Sequence, residues 1–206
     1  AVKGLPDIHV DGQGGLLDVL VPRDFATSNE IFFAHVVAQG KAAGTALTRA
    51  RLDTSSAQLS DVKQVFEMTT DSQGGRHFGS RLVEGPQGHI FMTLGERGDR
   101  PAAQDLSRHN GSIIRLNRDG SIPADNPFLD QPGALPEIYS YGHRNPQGAA
   151  LDASGQLWVN EHGARGGDEV NRILRGANYG WPVISYGRHY SGLPIGEGTK
   201  KRGMEQ

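Results

Sequence analysis

Three times along the chain a glycine leads into a short apolar run, a polar turn closes it, and a second strand-like run follows. The first copy is Gly14-Gly15-Leu16-Leu17-Asp18-Val19-Leu20-Val21-Pro22 and then Ile31-Phe32-Phe33-Ala34-His35-Val36. The second is Gly79-Ser80-Arg81-Leu82-Val83-Glu84 and Gly88-His89-Ile90-Phe91-Met92-Thr93. The third is Gly148-Ala149-Ala150-Leu151-Asp152-Ala153 and Gly155-Gln156-Leu157-Trp158-Val159-Asn160. Branched and aromatic residues in short runs bounded by turn residues predict strands. Few windows hold apolar residues at helical spacing, so the expected class is all-β.

Leu17, Leu82 and Leu151 recur 65 and 69 residues apart. Sheet units that cannot bury both faces alone predict radial repetition, with a propeller blade as the commonest unit. The period exceeds a blade of about 40 to 50 residues, so each unit is expected to carry an insertion. Glu96 to His109 and Ile122 to Pro136 are the candidates. Ser112-Ile113-Ile114-Arg115-Leu116-Asn117, followed by an Asp119-Gly120 turn, fits an outer strand. Three such units leave two raw edges, which predicts that residues 1–206 are part of a larger closed ring.

Composition narrows the function classes. The 29 glycines have no three-residue period and join 11 prolines in a turn-rich chain. Lys and Arg (21) nearly balance Asp and Glu (23), so the net charge of -2 excludes a globally basic nucleic-acid or membrane-surface binder. The chain has no cysteine, which removes disulfides and thiolate sites. No apolar run approaches the roughly 20 residues of a membrane span, and Ala1-Val2-Lys3-Gly4 lacks the pattern of a signal peptide.

The candidate chemistry lies just upstream of each repeat. Gln13, His77, and Arg144 with Asn145 precede the repeat leucines by 4, 5, 7 and 6 residues. If the repeated strands are the innermost strands of blades, the loops entering them meet on one face. Two amides, an imidazole and a guanidinium would then line one pocket suited to a flat, oxygen-rich molecule. Singly, each has a plainer reading: Gln13 as a loop amide, His77 as one of eight ordinary histidines, Arg144 as a turn cap.

The turn from Gly163 to Glu169 offers carbonyls at Gly163 and Ala164 and carboxylates at Asp168 and Glu169. Such hard oxygens suit calcium better than zinc or copper, although the spacing is not that of an EF-hand. An acidic glycine-rich turn is also an ordinary solvated loop. Asn178-Tyr179-Gly180-Trp181-Pro182 reads equally as a packed corner or a ligand wall. Tyr190 could offer a phenol at the pocket mouth.

The phrases DGQGGLLDV, HFGSRL, AQDL, IPADNPF, YGHRNPQG, NEHGARGGDEVN and NYGWP, in that order, span the chain from Gly12 to Gly192. Together they resemble the soluble quinoprotein sugar dehydrogenases of the glucose/sorbosone dehydrogenase family, above all the periplasmic aldose sugar dehydrogenase branch. The resemblance implies a six-bladed β-propeller, of which this chain holds about three blades. It also implies an oxidoreductase that converts the C1 hydroxyl of an aldose to the lactone, with pyrroloquinoline quinone (PQQ) as bound hydride acceptor, Ca2+ as activator and an external electron acceptor.

By motif position, His77 would be the general base. Gln13, Arg144, Asn145 and Tyr190 would contact PQQ, and the Gly163 and Ala164 carbonyls would ligate calcium. Glu169 and the Tyr179 carbonyl would hold a second, structural calcium. The same resemblance implies a periplasmic location and is compatible with a homodimer. Two departures stand out: Arg76 replaces an acidic residue of glucose-specific members, and Ala164 replaces a common proline. The alternatives are a non-catalytic propeller that binds carbohydrate or protein, and a calcium-dependent lactone hydrolase.

Overall fold

The structure, a computed structural model, describes residues 1–205. Eleven strands form three antiparallel sheets. The first sheet holds β1 (Leu16–Leu20), β2 (Glu30–Gln39), β3 (Ala42–Asp53) and β4 (Gln58–Glu67), paired in that order. The second holds β5 (Gly79–Glu84), β6 (Ile90–Leu94), β7 (Ser112–Leu116) and β8 (Ile138–Tyr141). The third holds β9 (Pro146–Leu151), β10 (Leu157–Glu161) and β11 (Glu169–Arg172). Each sheet is an up-and-down meander, as expected of propeller blades. The three repeat phrases fall on β1, β5 and β9, the first strand of each blade, and β5 packs against both β1 and β9.

Burial explains why the blades differ in sequence. The second blade is covered on both faces: Ile90, Met92 and Leu94 pack with Phe32, Leu47 and Leu116 of the first interface, while Phe91 and Ile113 pack with Leu157, Val159 and Ile173 of the second. β6 is therefore apolar on both faces except at Thr93, whose hydroxyl donates to the Pro146 carbonyl at 2.8 Å, since a strand buried on both sides has no solvent face to keep polar. β10 alternates instead, with Leu157, Val159 and Glu161 buried and Trp158 and Asn160 exposed. Only one of its faces is covered in this chain.

Polar side chains tie the inner strands to one another. Asp18 on β1 accepts from the Leu82 amide at 2.8 Å and from Arg81 at 2.7 Å. Arg81 also donates to the Gln147 carbonyl of β9 at 3.2 Å. One residue pair thus joins all three blades near the axis.

The expected insertions occur in the second blade, where 95–111 contains a 3-10 turn (Arg100–Gln104) and 117–137 is an irregular loop. The first blade departs from expectation. Its length comes from the long β2, β3 and β4 strands, with only a four-residue helix, α1 (Phe25–Ser28), between β1 and β2. Extending a hairpin lengthens a unit without adding a loop. Glu169, read from sequence as the end of the acidic turn, is the first residue of β11.

Candidate functional site

The loops that enter β1, β5 and β9 meet, and His77 sits among them. Its backbone is left-handed, with φ of 55°. A side-chain-bearing residue in that region costs about 1–3 kcal/mol and persists only where its surroundings over-determine it. The Gln13 Oε1 accepts from the His77 amide at 2.9 Å, and the Asn145 Oδ1 accepts from the Gly79 amide at 3.2 Å. Gln13 arrives from the first blade and Asn145 from the third. Residues distant in sequence therefore hold the same turn from both sides.

The imidazole is held as firmly as the backbone. His77 Nδ1 is hydrogen-bonded to Glu96 Oε1, and the Glu96 carboxylate is buried, its side chain 1% exposed. A carboxylate accepts, so Nδ1 carries the proton, and Nε2 is the nitrogen that presents a lone pair whenever the ring is neutral. The His77 side chain remains 13% exposed, and Nε2 has no partner among the described residues. Glu96 is joined in turn to the third blade: its amide donates to the Arg144 carbonyl at 2.9 Å, and its own carbonyl accepts from Asn110 at 3.0 Å. Its other oxygen, Oε2, has no hydrogen-bond partner among the described residues.

Sequence reasoning did not single out Glu96. It stands inside what reads as a surface insertion, next to Arg97, and such a pair normally reads as solvated. The available signal was its position: it follows Gly95 directly after β6, whose five residues are all buried. A chain leaving so apolar a strand is still inside the protein for a residue or two.

Gly95 is where the two loops touch. A Cβ there would stand 1.9 Å from the His77 carbonyl oxygen and 3.1 Å from Asn145 Oδ1. Gly95→Ala is expected to push the His77 turn off β6 and to cost about 1–3 kcal/mol, the usual range for overpacking. Calorimetry should find a lowered thermal midpoint.

Arg144 is the cation of the site. Its amide donates to Glu161 Oε2 at 2.7 Å, and its Nη1 donates to the His162 carbonyl at 3.1 Å. The guanidinium carbon lies 5.4 Å from the Trp181 ring centroid. Although Arg144 is buried, it forms no ion pair with the described residues, and its Nε is unpartnered. The Trp181 Nε1 also has no partner among the described residues. A buried cation without a counter-ion is costly, so these donors are set up for an anionic, oxygen-rich ligand.

Glu161 also binds His143 Nδ1 at 2.8 Å, and His143 Nε2 lies 3.0 Å from Ser140 Oγ. This resembles a nucleophilic triad in composition only, because Ser140 and His143 are wholly buried. The His143 ring stacks on Tyr179 at 4.6 Å. The network serves to fix Arg144.

The acidic turn lies beside these groups. Gly163 approaches its own turn so closely that a Cβ would meet the Gly166 oxygen at 2.2 Å and the Gly167 oxygen at 2.5 Å. Arg144, Glu161, Gly163, Glu169 and Tyr179 line a small cavity of about 10 Å³, about the room one water or ion occupies. Ala164 follows in the turn and bridges to Gly166. Among the described residues no three His, Cys, Asp or Glu side chains cluster as a metal site, so a metal here would draw on backbone oxygens.

Tyr179 is buried, its hydroxyl donating to the Arg172 carbonyl at 2.5 Å and accepting from the Leu174 amide at 2.9 Å. Burial pushes that phenol up to about 12. Its segment is a packed corner against β8. Tyr190 is 70% exposed, and its carbonyl accepts from Arg165 at 3.4 Å. No bond draws it to His77; its loop is anchored through His189, which pairs with Arg100 at 2.8 Å.

The chain can be set beside known proteins at this point. The aldose sugar dehydrogenase YliI of Escherichia coli is 46% identical over 210 residues, which cover all of this chain and 56% of that protein. The crystal structure of the soluble aldose sugar dehydrogenase of E. coli in its apo form superposes with a TM-score of 0.96 at 45% identity, covering 100% of this chain and 60% of that one. The PQQ-bound aldose sugar dehydrogenase of Streptomyces coelicolor matches with a TM-score of 0.78 at 33% identity, over 92% of this chain and 55% of that one. The chain thus spans somewhat more than half the length of these relatives, and the three meanders correspond to part of a propeller. The model of the Glucose / Sorbosone dehydrogenase family matches residues 1–206, and the chain belongs to that family.

Proposed function

We propose that the protein containing this chain is a PQQ-dependent aldose dehydrogenase that oxidises the C1 hydroxyl of a sugar to the lactone. The observation that carries this reading is the arrangement of His77: an imidazole in a strained backbone conformation, its Nδ1 bound to a buried carboxylate whose amide is bonded to the carbonyl of Arg144, a buried cation with no ion pair among the described residues.

The donor set fits the cofactor. Arg144, Asn145 and Gln13 would hold the carboxylates and carbonyls of PQQ, with Tyr190 at the mouth. The hard oxygens of Gly163 and Ala164 fit calcium, and Glu169 with the Tyr179 carbonyl fits a second calcium. When bound, PQQ supplies a two-electron acceptor and calcium a Lewis acid beside it.

The remaining work belongs to the chain. His77 Nε2 takes the hydroxyl proton of the sugar, which raises electron density on the carbon that must give up hydride. Glu96 holds Nδ1–H, fixes the ring and stabilises the imidazolium that forms. Burial of Glu96 and Arg144 keeps both aimed without reorganisation. An external electron acceptor then regenerates the protein. The reading also carries a periplasmic location and is compatible with a homodimer; no helix among the described residues is long and apolar enough to cross a membrane.

Reconstitution tests the proposal. The intact protein with PQQ and Ca2+ is expected to reduce an artificial dye when an aldose is added. Chelator-sensitive cleavage of a lactone without PQQ would assign it instead as a hydrolase, and sugar binding with no dye reduction would leave a binding propeller.

A further inference from the structure

One residue next to Glu96 is not accounted for by that reading. Arg97 is among the largest fully buried side chains of the protein, and its backbone is left-handed with φ of 61°. Its guanidinium carbon lies 3.4 Å from the centroid of the Phe78 ring. Its Nη1 donates to the Arg76 carbonyl, and its Nε and Nη2 donate to the Ala43 carbonyl at 3.3 and 3.1 Å. Arg76 and Phe78 are the two neighbours of His77. Ala43 lies in β3 of the first blade.

Burial lowers the guanidinium to about 10, with the Asp11 and Glu96 carboxylates pulling the other way, so it remains charged at neutral pH. A charge is expensive to bury where an apolar side chain would fill the volume. What the charge does here is geometric. The planar fork reaches two carbonyls on different blades while its face covers an aromatic ring, which a lysine cannot do.

We propose that Arg97 is a positioning residue for His77: its guanidinium grips the carbonyl before the imidazole and the ring after it, and anchors both to the first blade. Glu96 and Arg97 then act as adjacent halves of one clamp, the first on the ring and the second on the backbone that carries it. The inference rests on His77 being the base of the dehydrogenase. Gln13 and Asn145 hold the same turn through its amides, but neither restrains the Arg76 carbonyl.

The test uses the intact protein with two readouts, one of which needs no activity. In the PQQ-free protein, the Nδ1 proton of His77 should give a strongly downfield imidazole resonance because of its bond to Glu96. Arg97→Met is expected to lose or broaden that resonance and, once PQQ and Ca2+ are added, to lower kcat about 100-fold, the scale on which a misplacement of 1 Å acts. The sugar KM should stay within about twofold, because a misplaced base alters the reaction more than ground-state binding. Arg97→Lys should recover only part of both.

Ile114→Ala, in the apolar core between the first two blades, serves as the control for lost stability. A retained resonance and unchanged kcat in Arg97→Met would overturn the proposal, and so would equal losses in Ile114→Ala at a matched thermal midpoint. If Arg97→Met does not fold, Arg97→Gln and Arg97→Lys carry the same comparison. If the wild type oxidises no sugar, the dehydrogenase reading fails by itself, while the resonance still decides whether Arg97 positions His77.

Discussion

Replacing His77 with alanine is expected to reduce turnover by about 10² to 10⁴-fold, the contribution of a positioned general base, while PQQ retention changes little. The two effects separate because the imidazole points its free Nε2 outward from a turn that other residues hold. Gln13 binds the amide of residue 77, and Asn145 binds the amide of Gly79; both bonds survive truncation of the ring. The backbone strain should persist, since alanine tolerates φ of 55° no better than histidine, and the buried Glu96 carboxylate loses its partner, so the thermal midpoint should fall as well. Steady-state kinetics at saturating cofactor, with PQQ occupancy measured by absorbance, would check the split. Unchanged turnover would remove His77 from the chemistry.

Arg144→Ala should show the opposite pattern. Truncating one partner of a buried, hydrogen-bonded charge pair costs about 2–5 kcal/mol, roughly a 30- to 5000-fold weaker Kd for PQQ. The cofactor should be lost on gel filtration, and kcat at saturating PQQ should fall much less than in His77→Ala. The PQQ-free protein provides a second check. Arg144 is buried there without an ion pair, so removing its charge relieves a desolvation cost and the thermal midpoint should drop only slightly. A large loss of stability with normal PQQ affinity would recast Arg144 as a structural residue of the Glu161–His143 network.

The inner strands were legible because their pattern is local. Glycine, an apolar pair and a turn mark β1, β5 and β9, and the polar residues ahead of them could be related by position alone. The outer part of the first blade was not legible. β3 is rich in alanine, threonine and arginine, and its strand character comes from pairing with β2 along its length, a tertiary cause that no short window contains.

The site was legible in its amides, its imidazole and Arg144, and not in its carboxylate. Gln13 and Asn145 hold the His77 turn through its amides, and Arg144 reaches the same turn through its carbonyl's bond to the Glu96 amide. Glu96 itself was hidden, because burial turns an acidic loop residue into a partner for an imidazole, and burial is set by neighbours from another blade. Arg97 was hidden for the same reason. Tyr190 stands exposed on a loop tied down by His189, an anchorage that its place in the sequence did not signal.

The strained turn at His77 is closed by partners 64 and 66 residues away along the chain. During synthesis, therefore, the turn that carries that histidine lacks its bond to the third blade until the segment bearing Asn145 has emerged and docked. As the proposed base, His77 would then sit on a turn still short of one of its supports in any chain caught halfway through folding.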